Sequence, residues 1–497
     1  MVWEYISDYF NLRSVLLCSA TFLVISWLLR RPRNMPPGPW SVPILGSLPY
    51  LVFVKYMSPM EPHRMFEATA RKYGHIFSLN AFGYHVVVLN TYEAIKEAFQ
   101  NPLLNDRPIN KLGNDIETGV ATACGESWKQ QRYFSLNTLR GFGVGKRSFE
   151  EQISMETKAL LDEIKIRKDQ PFNPQYLIVN AVSNVICAVI FGQRYHYTDE
   201  DFIELFTNLN QQVKIIGSGG LLLFIPIMKY VRPELFRLFL ENRERLAQFI
   251  NKIINEHRIH HDPEHPRDFI DVYLTEIEAN KEKLQPSHLS ERTLNITIGQ
   301  LFNAGSETTA TTLRWALLYM MKYPDIQRQV QQEIDNKVGR DRLPQLSDIP
   351  NLPFTGATLL EIQRIVTVVP SGLVHCAAEA TMLDGYTIPK GTFLFPNLWA
   401  VHHDPKVWKE PFQFNPARFL DSSGNVVQRP ELIPFSTGRR ICLGENLAKM
   451  EIFLFFTHMI HQFTFLAPND SSKLSLEGIS GLVYQPKPFE TAAIPRQ

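Results

Sequence analysis

Cysteine is scarce in this chain. Five residues, Cys18, Cys124, Cys187, Cys376 and Cys442, are scattered over 497 positions, odd in number and without a CxxC pair. That excludes a disulfide framework and a thiolate zinc site, and it fits a reducing compartment. Excess charge is missing too: 51 Lys and Arg stand against 50 Asp and Glu, a formal net charge of +1. Nothing global therefore attracts nucleic acid. No fixed-period repeat or low-complexity tract occurs. Gly141-Phe-Gly-Val-Gly-Lys-Arg-Ser148 imitates a phosphate loop, yet Arg140 stands where its first glycine belongs and Arg147 where Ser or Thr follows the lysine.

One long apolar run is present, at residues 15–29, ending at Arg30, Arg31 and Arg33. It is short against the roughly 20 residues of a full span. Leu12 extends it, and Trp3, Tyr5, Tyr9, Phe10 and Trp27 suit the two interfaces. Residues 1–34 are thus expected to be an N-terminal membrane-anchor helix with a basic stop-transfer segment, leaving the rest in the cytosol. Glu4 and Asp8 argue against a cleaved signal peptide and a mitochondrial presequence. Met35-Pro-Pro-Gly-Pro39 opens a proline-rich hinge over residues 35–60, a stiff spacer before a single catalytic domain at 61–497. A second apolar patch at 219–228 is too short and proline-broken to span; it either dips into the membrane surface or forms a buried loop.

Beyond the hinge, helical periodicity dominates, with strand-like pieces at 75–82 and 84–90, which predicts a mainly α chain with small β-sheets, an α+β class. The longest helical stretch starts at Ser290, a plausible N-cap, and stops at Tyr323 before Pro324, a length of roughly 50 Å.

A lone cysteine is most often an inert small hydrophobe. Cys442 has different surroundings, in Phe435-Ser436-Thr437-Gly438-Arg439-Arg440-Ile441-Cys442-Leu443-Gly444. Gly438 and Gly444 bracket it where the backbone must turn tightly. Arg439 and Arg440 supply positive charge, and a helix beginning directly afterwards aims amides and a favourable dipole at the sulfur. Each favours a thiolate, the form in which sulfur ligates a metal. At every fixed position, Phe-x-x-Gly-x-Arg-x-Cys-x-Gly is similar to the haem-binding signature of the cytochrome P-450 family. The resemblance implies the cytochrome P-450 fold and a haem b (iron protoporphyrin IX) with Cys442 as axial iron ligand.

Three further motifs follow the family's order. Ala304-Gly305-Ser306-Glu307-Thr308-Thr309 would by itself be read as a packing or kink feature. It resembles the family's oxygen-activation stretch, which implies that small Ala304 and Gly305 leave room for dioxygen and that Thr308 and Glu307 are the catalytic proton relay. Glu361-Ile-Gln-Arg364 would by itself be a surface ion pair. By resemblance, Glu361 and Arg364 are buried and joined by Arg418 of Pro416-Ala-Arg-Phe419, a structural set behind the thiolate loop. Trp128-Lys-Gln-Gln-Arg132 resembles the family's Trp-x-x-x-Arg, so Trp128 and Arg132 are expected at one haem propionate, with His375 and Arg440 at the other. By position, Asn303, Ala304, Val369, Leu373 and Leu482 are expected to line an apolar substrate pocket.

Within the family, the hinge, Asn180-Ala-Val-Ser-Asn-Val-Ile-Cys187 and Gly385-Tyr-Thr-Ile-Pro-Lys-Gly391 resemble microsomal family two, nearest to its J and U subfamilies. That implies an unspecific monooxygenase inserting one atom of O2 into lipophilic substrates by hydroxylation or epoxidation, long-chain fatty acids and foreign compounds among them. It also implies the endoplasmic reticulum membrane, with the catalytic domain facing the cytosol. As the chain has no nucleotide-binding loop, electrons must come from a separate flavoprotein. The resemblance points to NADPH-cytochrome P-450 reductase, with cytochrome b5 a second partner. Lys129, Arg140, Arg439 and Lys449 are either docking cations or solvated charges. Three positions depart from the family pattern: Asn303, Gln300 in place of a customary Asp, and Val374 in place of a customary Pro. The rival readings are an electron-independent isomerase or dehydratase of lipid peroxides and a non-catalytic haem sensor or carrier.

Overall fold

Ser290 opens the longest helix through its hydroxyl, which accepts the Thr293 N–H while the Thr293 hydroxyl accepts the Ser290 N–H, a reciprocal capping box. Tyr323 closes the helix, and Pro324 starts the next one. It spans Glu291–Lys322, within one residue of the sequence expectation.

The computed structural model describes residues 12–28, 32–42, 45–58, 60–108, 118–199, 202–203, 207, 211, 230, 233–282, 287–468 and 474–496. Its contacts form two compact units, residues 1–108 with 371–400 and residues 109–370 with 401–497. The expected division near residue 60 does not coincide with a unit boundary.

In the first unit the helices are α1 (Leu12–Leu28), α2 (Leu48–Met57), α3 (Pro62–Tyr73) and α4 (Tyr92–Gln100). The strands are β1 (Ile76–Ala81), β2 (Tyr84–Leu89), β3 (His375–Cys376), β4 (Thr381–Leu383), β5 (Tyr386–Ile388) and β6 (Phe393–Pro396). One sheet has the order β1-β2-β6-β3, with β2 and β6 parallel and the other pairs antiparallel. The β1–β2 hairpin turns through Phe82 and Gly83, both at positive φ, the handedness that matches strand twist. The hinge is no free spacer. Ser78 on β1 donates its hydroxyl to the Pro36 carbonyl at 2.7 Å and its N–H to Pro37 at 2.8 Å, and Met35 is buried. The anchor region forms α1, of 17 residues; among the described residues no helix is long and apolar enough to cross a membrane. The patch at 219–228 lies outside the described residues.

The second unit holds α5 (Gly125–Gly141), α6 (Glu150–Ile166), α7 (Gln175–Ile190), α8 (Pro233–Ile259), α9 (Phe269–Glu282), α10 (Glu291–Lys322), α11 (Pro324–Lys337), α12 (Pro353–Val366) and α13 (Glu445–Gln462). Strands β7 (Phe463–Leu466) and β10 (Ala492–Pro495) pair, as do β8 (Gly478–Ile479) and β9 (Gln485–Pro486). The mainly α class with small sheets is borne out. Apolar α7 is almost wholly buried and lies along α10. Gly305 serves that contact: a Cβ there would meet Ile186 side-chain atoms from 3.2 Å. The glycine expected beside dioxygen thus also lets two helices pack closely.

Both ring nitrogens of His257, on α8, face acceptors, Nδ1 the Ile253 carbonyl at 2.8 Å and Nε2 the Asp268 carboxylate at 2.7 Å. A neutral ring has one proton to give, so only the protonated ring can donate to both. Burial opposes its charge most strongly, but Asp268, the Ile253 carbonyl and Asp271 together outweigh it and hold the pKa above 6.5. Arg267 in turn forks onto Asp271 at 2.7 and 2.9 Å. The pair ties α8 to the start of α9. Since the folded-state pKa is raised, its stabilisation is complete below pH 6.5 and is lost as pH rises through the folded value. Unfolding midpoints of wild type and Asp268→Asn should therefore converge as pH rises; a constant gap would contradict the pairing.

Candidate active site

The loop before α13 is shaped by two left-handed residues, Ser436 at φ 64° and Gly438 at φ 76°. Cys442 N–H closes it by donating to the Phe435 carbonyl at 3.0 Å. Gly444 works differently from the expected tight turn. Its φ is −91°, it caps α13, and its N–H donates to the Cys442 sulfur. The Cys442 side chain is exposed, whereas Cys187 is fully buried in α7. Protein packed around the sulfur's other sides pushes the thiol pKa up, against the Gly444 amide and Arg132, with Glu445 also pushing up. Arg132 is thus the cation acting on this sulfur, where the sequence reading named Arg439 and Arg440, and desolvation outweighs it.

Arg132 reaches the loop from α5, donating Nη2 to the Ile441 carbonyl at 2.7 Å. Burial lowers its pKa from the usual guanidinium range, and Cys442 partly offsets this. One turn earlier Trp128 lies under Arg440, whose guanidinium carbon sits 4.0 Å from the indole centroid. Arg440 also donates to the Ala123 carbonyl at 2.7 Å. Trp128, Arg132, Arg440 and Cys442 are therefore gathered in one place. The loop leading into α5 is held by Gln300, whose Oε1 accepts the Ala121 N–H at 2.8 Å and whose Nε2 donates to the Thr122 hydroxyl at 3.0 Å. That gives the unexpected glutamine of α10 a supporting function.

Behind the loop stands the predicted ion network. Arg364 forks onto Glu361 at 2.7 and 2.8 Å, both side chains fully buried, and Arg418 adds Nε at 3.1 Å. The remaining Arg364 nitrogen donates to the carbonyls of His402 and Pro411, each at 2.8 Å. His402 carries the connection to the thiolate loop. The Thr367 hydroxyl spends its proton on the Arg364 carbonyl, so it accepts from His402 Nδ1–H at 2.9 Å, while Nε2 accepts the Ile433 N–H at 3.0 Å. Burial, with Arg364 nearby, drops the His402 pKa to about 3, so this neutral tautomer persists. Ile433 accepts from Ser436 N–H at 3.0 Å, which begins the cysteine loop.

On α10, exposed Ala304 and half-buried Thr308 lie one turn apart, and the Thr308 hydroxyl donates to the Ala304 carbonyl at 2.8 Å. Glu307 is buried on the next face, its Oε1 accepting from Thr311 at 3.1 Å and from Gln485 at 2.6 Å. Asn303 is half-buried, as are Val369 and Leu482. The Tyr484 N–H to Val368 carbonyl bond, 2.8 Å, ties the chain segments of Leu482 and Val369 together. In the other unit, Leu373 is exposed and His375 is buried, stacked on Phe99 at 3.7 Å with Nδ1 donating to the Leu104 carbonyl at 3.1 Å. Arg107, missed in the sequence, donates there to the Leu373 and Val374 carbonyls at 3.0 and 2.8 Å. Of the proposed docking cations, Lys129 pairs with Glu126 at 2.9 Å and Lys449 with Glu445 at 2.6 Å, so that surface is less basic than its lysines suggest.

The cytochrome P450 family model matches residues 36–493. The chain belongs to the cytochrome P450 family. It is 40% identical to cytochrome P450 2U1 of Bos taurus over 96% of this chain and 92% of that one. It is also 40% identical to cytochrome P450 2J3 of Rattus norvegicus, over 98% and 97%. Cytochrome P450 2J2 of Homo sapiens is 38% identical over 97% and 96%. The resemblance to family two and its J and U subfamilies is borne out. Membership of the cytochrome P450 family implies a haem cofactor, O2, a small-molecule substrate and a redox partner for a monooxygenase.

The residues present fit that group. An accessible sulfur already receives an amide hydrogen bond, as a metal thiolate does. Beside it, Arg132 commits one guanidinium nitrogen to Ile441 and keeps others for a carboxylate, and Arg440 is held flat on Trp128. A haem bound at this sulfur would find Arg132 and Arg440 in the same unit.

Proposed function

We propose that this chain is a haem-thiolate monooxygenase that hydroxylates or epoxidises lipophilic substrates, long-chain fatty acids and foreign compounds among them, using NADPH electrons through NADPH-cytochrome P-450 reductase, with cytochrome b5 as a second donor. The observation that carries the reading is the presentation of Cys442: exposed, bonded by the Gly444 amide, flanked by Arg132, in a loop fastened from behind through His402. Bound there, a haem b supplies redox iron for dioxygen activation, with electron donation from the thiolate assisting O–O cleavage. Trp128 and Arg132 are proposed for one propionate, and His375 and Arg440, on family resemblance, for the other.

Thr308 is proposed to position water for proton delivery from its place one turn from Ala304, with Glu307 as the relay acid. Asn303, Ala304, Val369, Leu373 and Leu482 are proposed to contact substrate, and their mostly apolar character suits acyl chains. We further propose that α1 anchors the protein in the endoplasmic reticulum membrane with the catalytic part in the cytosol. The exposed Val52, Phe53, Tyr56 and Met57 of α2 support contact with the bilayer.

Product identification after incubating the purified protein with reductase, NADPH and a panel of fatty acids, steroids and drugs tests the reading. Oxygenated fatty acids are expected. Consumption of lipid hydroperoxides without reductase-dependent NADPH oxidation would overturn it, and activity on steroids alone would sink the lipid preference. In the same assay Thr308→Ala should cut product per NADPH by about tenfold or more while hydrogen peroxide rises. Undiminished, well-coupled product would remove Thr308 from the relay.

A further inference from the structure

The C-terminal strand pair grips α10 through a residue that none of the motifs contains. Gln485, at the start of β9, is 7% exposed, and its side-chain amide donates to Glu307 Oε1 at 2.6 Å. The same oxygen accepts the Thr311 hydroxyl at 3.1 Å, one turn further along the helix. Neither contact is at the surface, since Glu307 is 5% exposed and Thr311 fully buried.

The residues flanking Gln485 are fastened to the same stripe of α10, so its amide is aimed by more than its own rotamer. The Trp315 indole N–H donates to the Tyr484 carbonyl at 2.8 Å, and the two rings stack 5.6 Å apart at 21°. Arg314 Nη2 reaches the Pro486 carbonyl at 3.5 Å. Glu307, Thr311, Arg314 and Trp315 stand at i, i+4, i+7 and i+8, one face of a helix. The Tyr484 hydroxyl accepts the Gly478 N–H at 2.8 Å, which holds β8 against the same segment. Thr308, next to Glu307 in the chain, is half-buried and bonded to the Ala304 carbonyl instead.

We infer that Gln485 is a positioning residue, fixing the Glu307 carboxylate in the wall of α10 so that proton transfer toward Thr308 begins from one orientation. The inference rests on the monooxygenase reading. A proton that leaves the Glu307 carboxyl passes to water held by Thr308, and solvent returns a proton to the carboxylate. With the amide gone, a buried carboxylate oxygen loses a donor and the side chain gains freedom to swing. Geometry fixed beforehand is what makes such a transfer efficient.

Gln485→Met keeps the size of the side chain and removes the donor. In the haem-loaded full-length protein, driven by NADPH and reductase without added substrate, it should raise hydrogen peroxide released per NADPH by roughly threefold. Haem content should not change. In a Glu307→Ala background, or Glu307→Leu should the smaller side chain fail to fold, the same substitution should add nothing. Unfolding midpoints of the four proteins give an independent readout: Gln485→Met should lower the midpoint in wild type and leave it unchanged once Glu307 is gone. Equal effects in both backgrounds, in either readout, would overturn the inference. A wild-type protein that oxidises no NADPH would instead sink the monooxygenase reading, while the midpoints would still decide the Gln485–Glu307 contact.

Discussion

Cys442→Ala should yield a folded protein that retains no thiolate-ligated haem and oxidises nothing. The expected loss is complete because the sulfur is the metal ligand, and even a partner that merely orients a ligand is worth about 10–100-fold in metal affinity. The fold should survive. The Cys442 side chain is exposed, so its removal leaves no buried cavity, and the loop is closed by the Cys442 backbone N–H to Phe435 and not by the thiol. Reduced protein with carbon monoxide should lack the band typical of thiolate haem, haem per chain should fall, and circular dichroism of the haem-free forms of variant and wild type should match. A variant that kept both band and turnover would show that another group holds the iron.

Much of this site was legible in the sequence wherever function is packed into a short stretch of chain. The cysteine loop, the Glu361–Arg364 pair and the Ser290 and Pro324 helix signals are local patterns, and each lies where its spacing indicates. What stayed hidden is the set of residues that act by contact across the fold. His402 joins the ion network to the cysteine loop over a separation of 31 residues to Ile433, and Gln485 meets Glu307 over 178. A histidine or glutamine without a motif carries no mark of such a partner. Gly305 illustrates the same limit: a glycine announces that something comes close, and only the fold says that Ile186 does so. The source of charge at the sulfur was misjudged in the same way. Arg439 and Arg440 are near Cys442 in sequence, yet Arg132, from a separate helix, is the one that acts on it, and desolvation, which composition cannot reveal, decides the outcome.

The second large effect is expected at Arg364, which touches neither the sulfur nor any residue proposed to meet substrate. Arg364→Ala strips the fully buried Glu361 of a two-bond partner, leaving Arg418 Nε and the Asn415 N–H as its donors. It also leaves the His402 and Pro411 carbonyls without the guanidinium they share. Breaking a buried pair from one side costs about 3–5 kcal/mol, because the remaining charge stays desolvated. Against a total stability of about 5–15 kcal/mol, that removes a large share of the margin. Arg364→Lys keeps the charge but cannot fork onto a carboxylate and reach two carbonyls at once, so it should fall between alanine and wild type. Soluble yield, haem per chain and the denaturant midpoint should decline together in that order. The order matters because His402 takes its place from the same guanidinium and passes it to Ile433, so loosening Arg364 should loosen the cysteine loop before the helices melt. Equal denaturant midpoints for Arg364→Ala and wild type would mean that the ion network is dispensable to the fold and that the cysteine loop is held by its own backbone bonds.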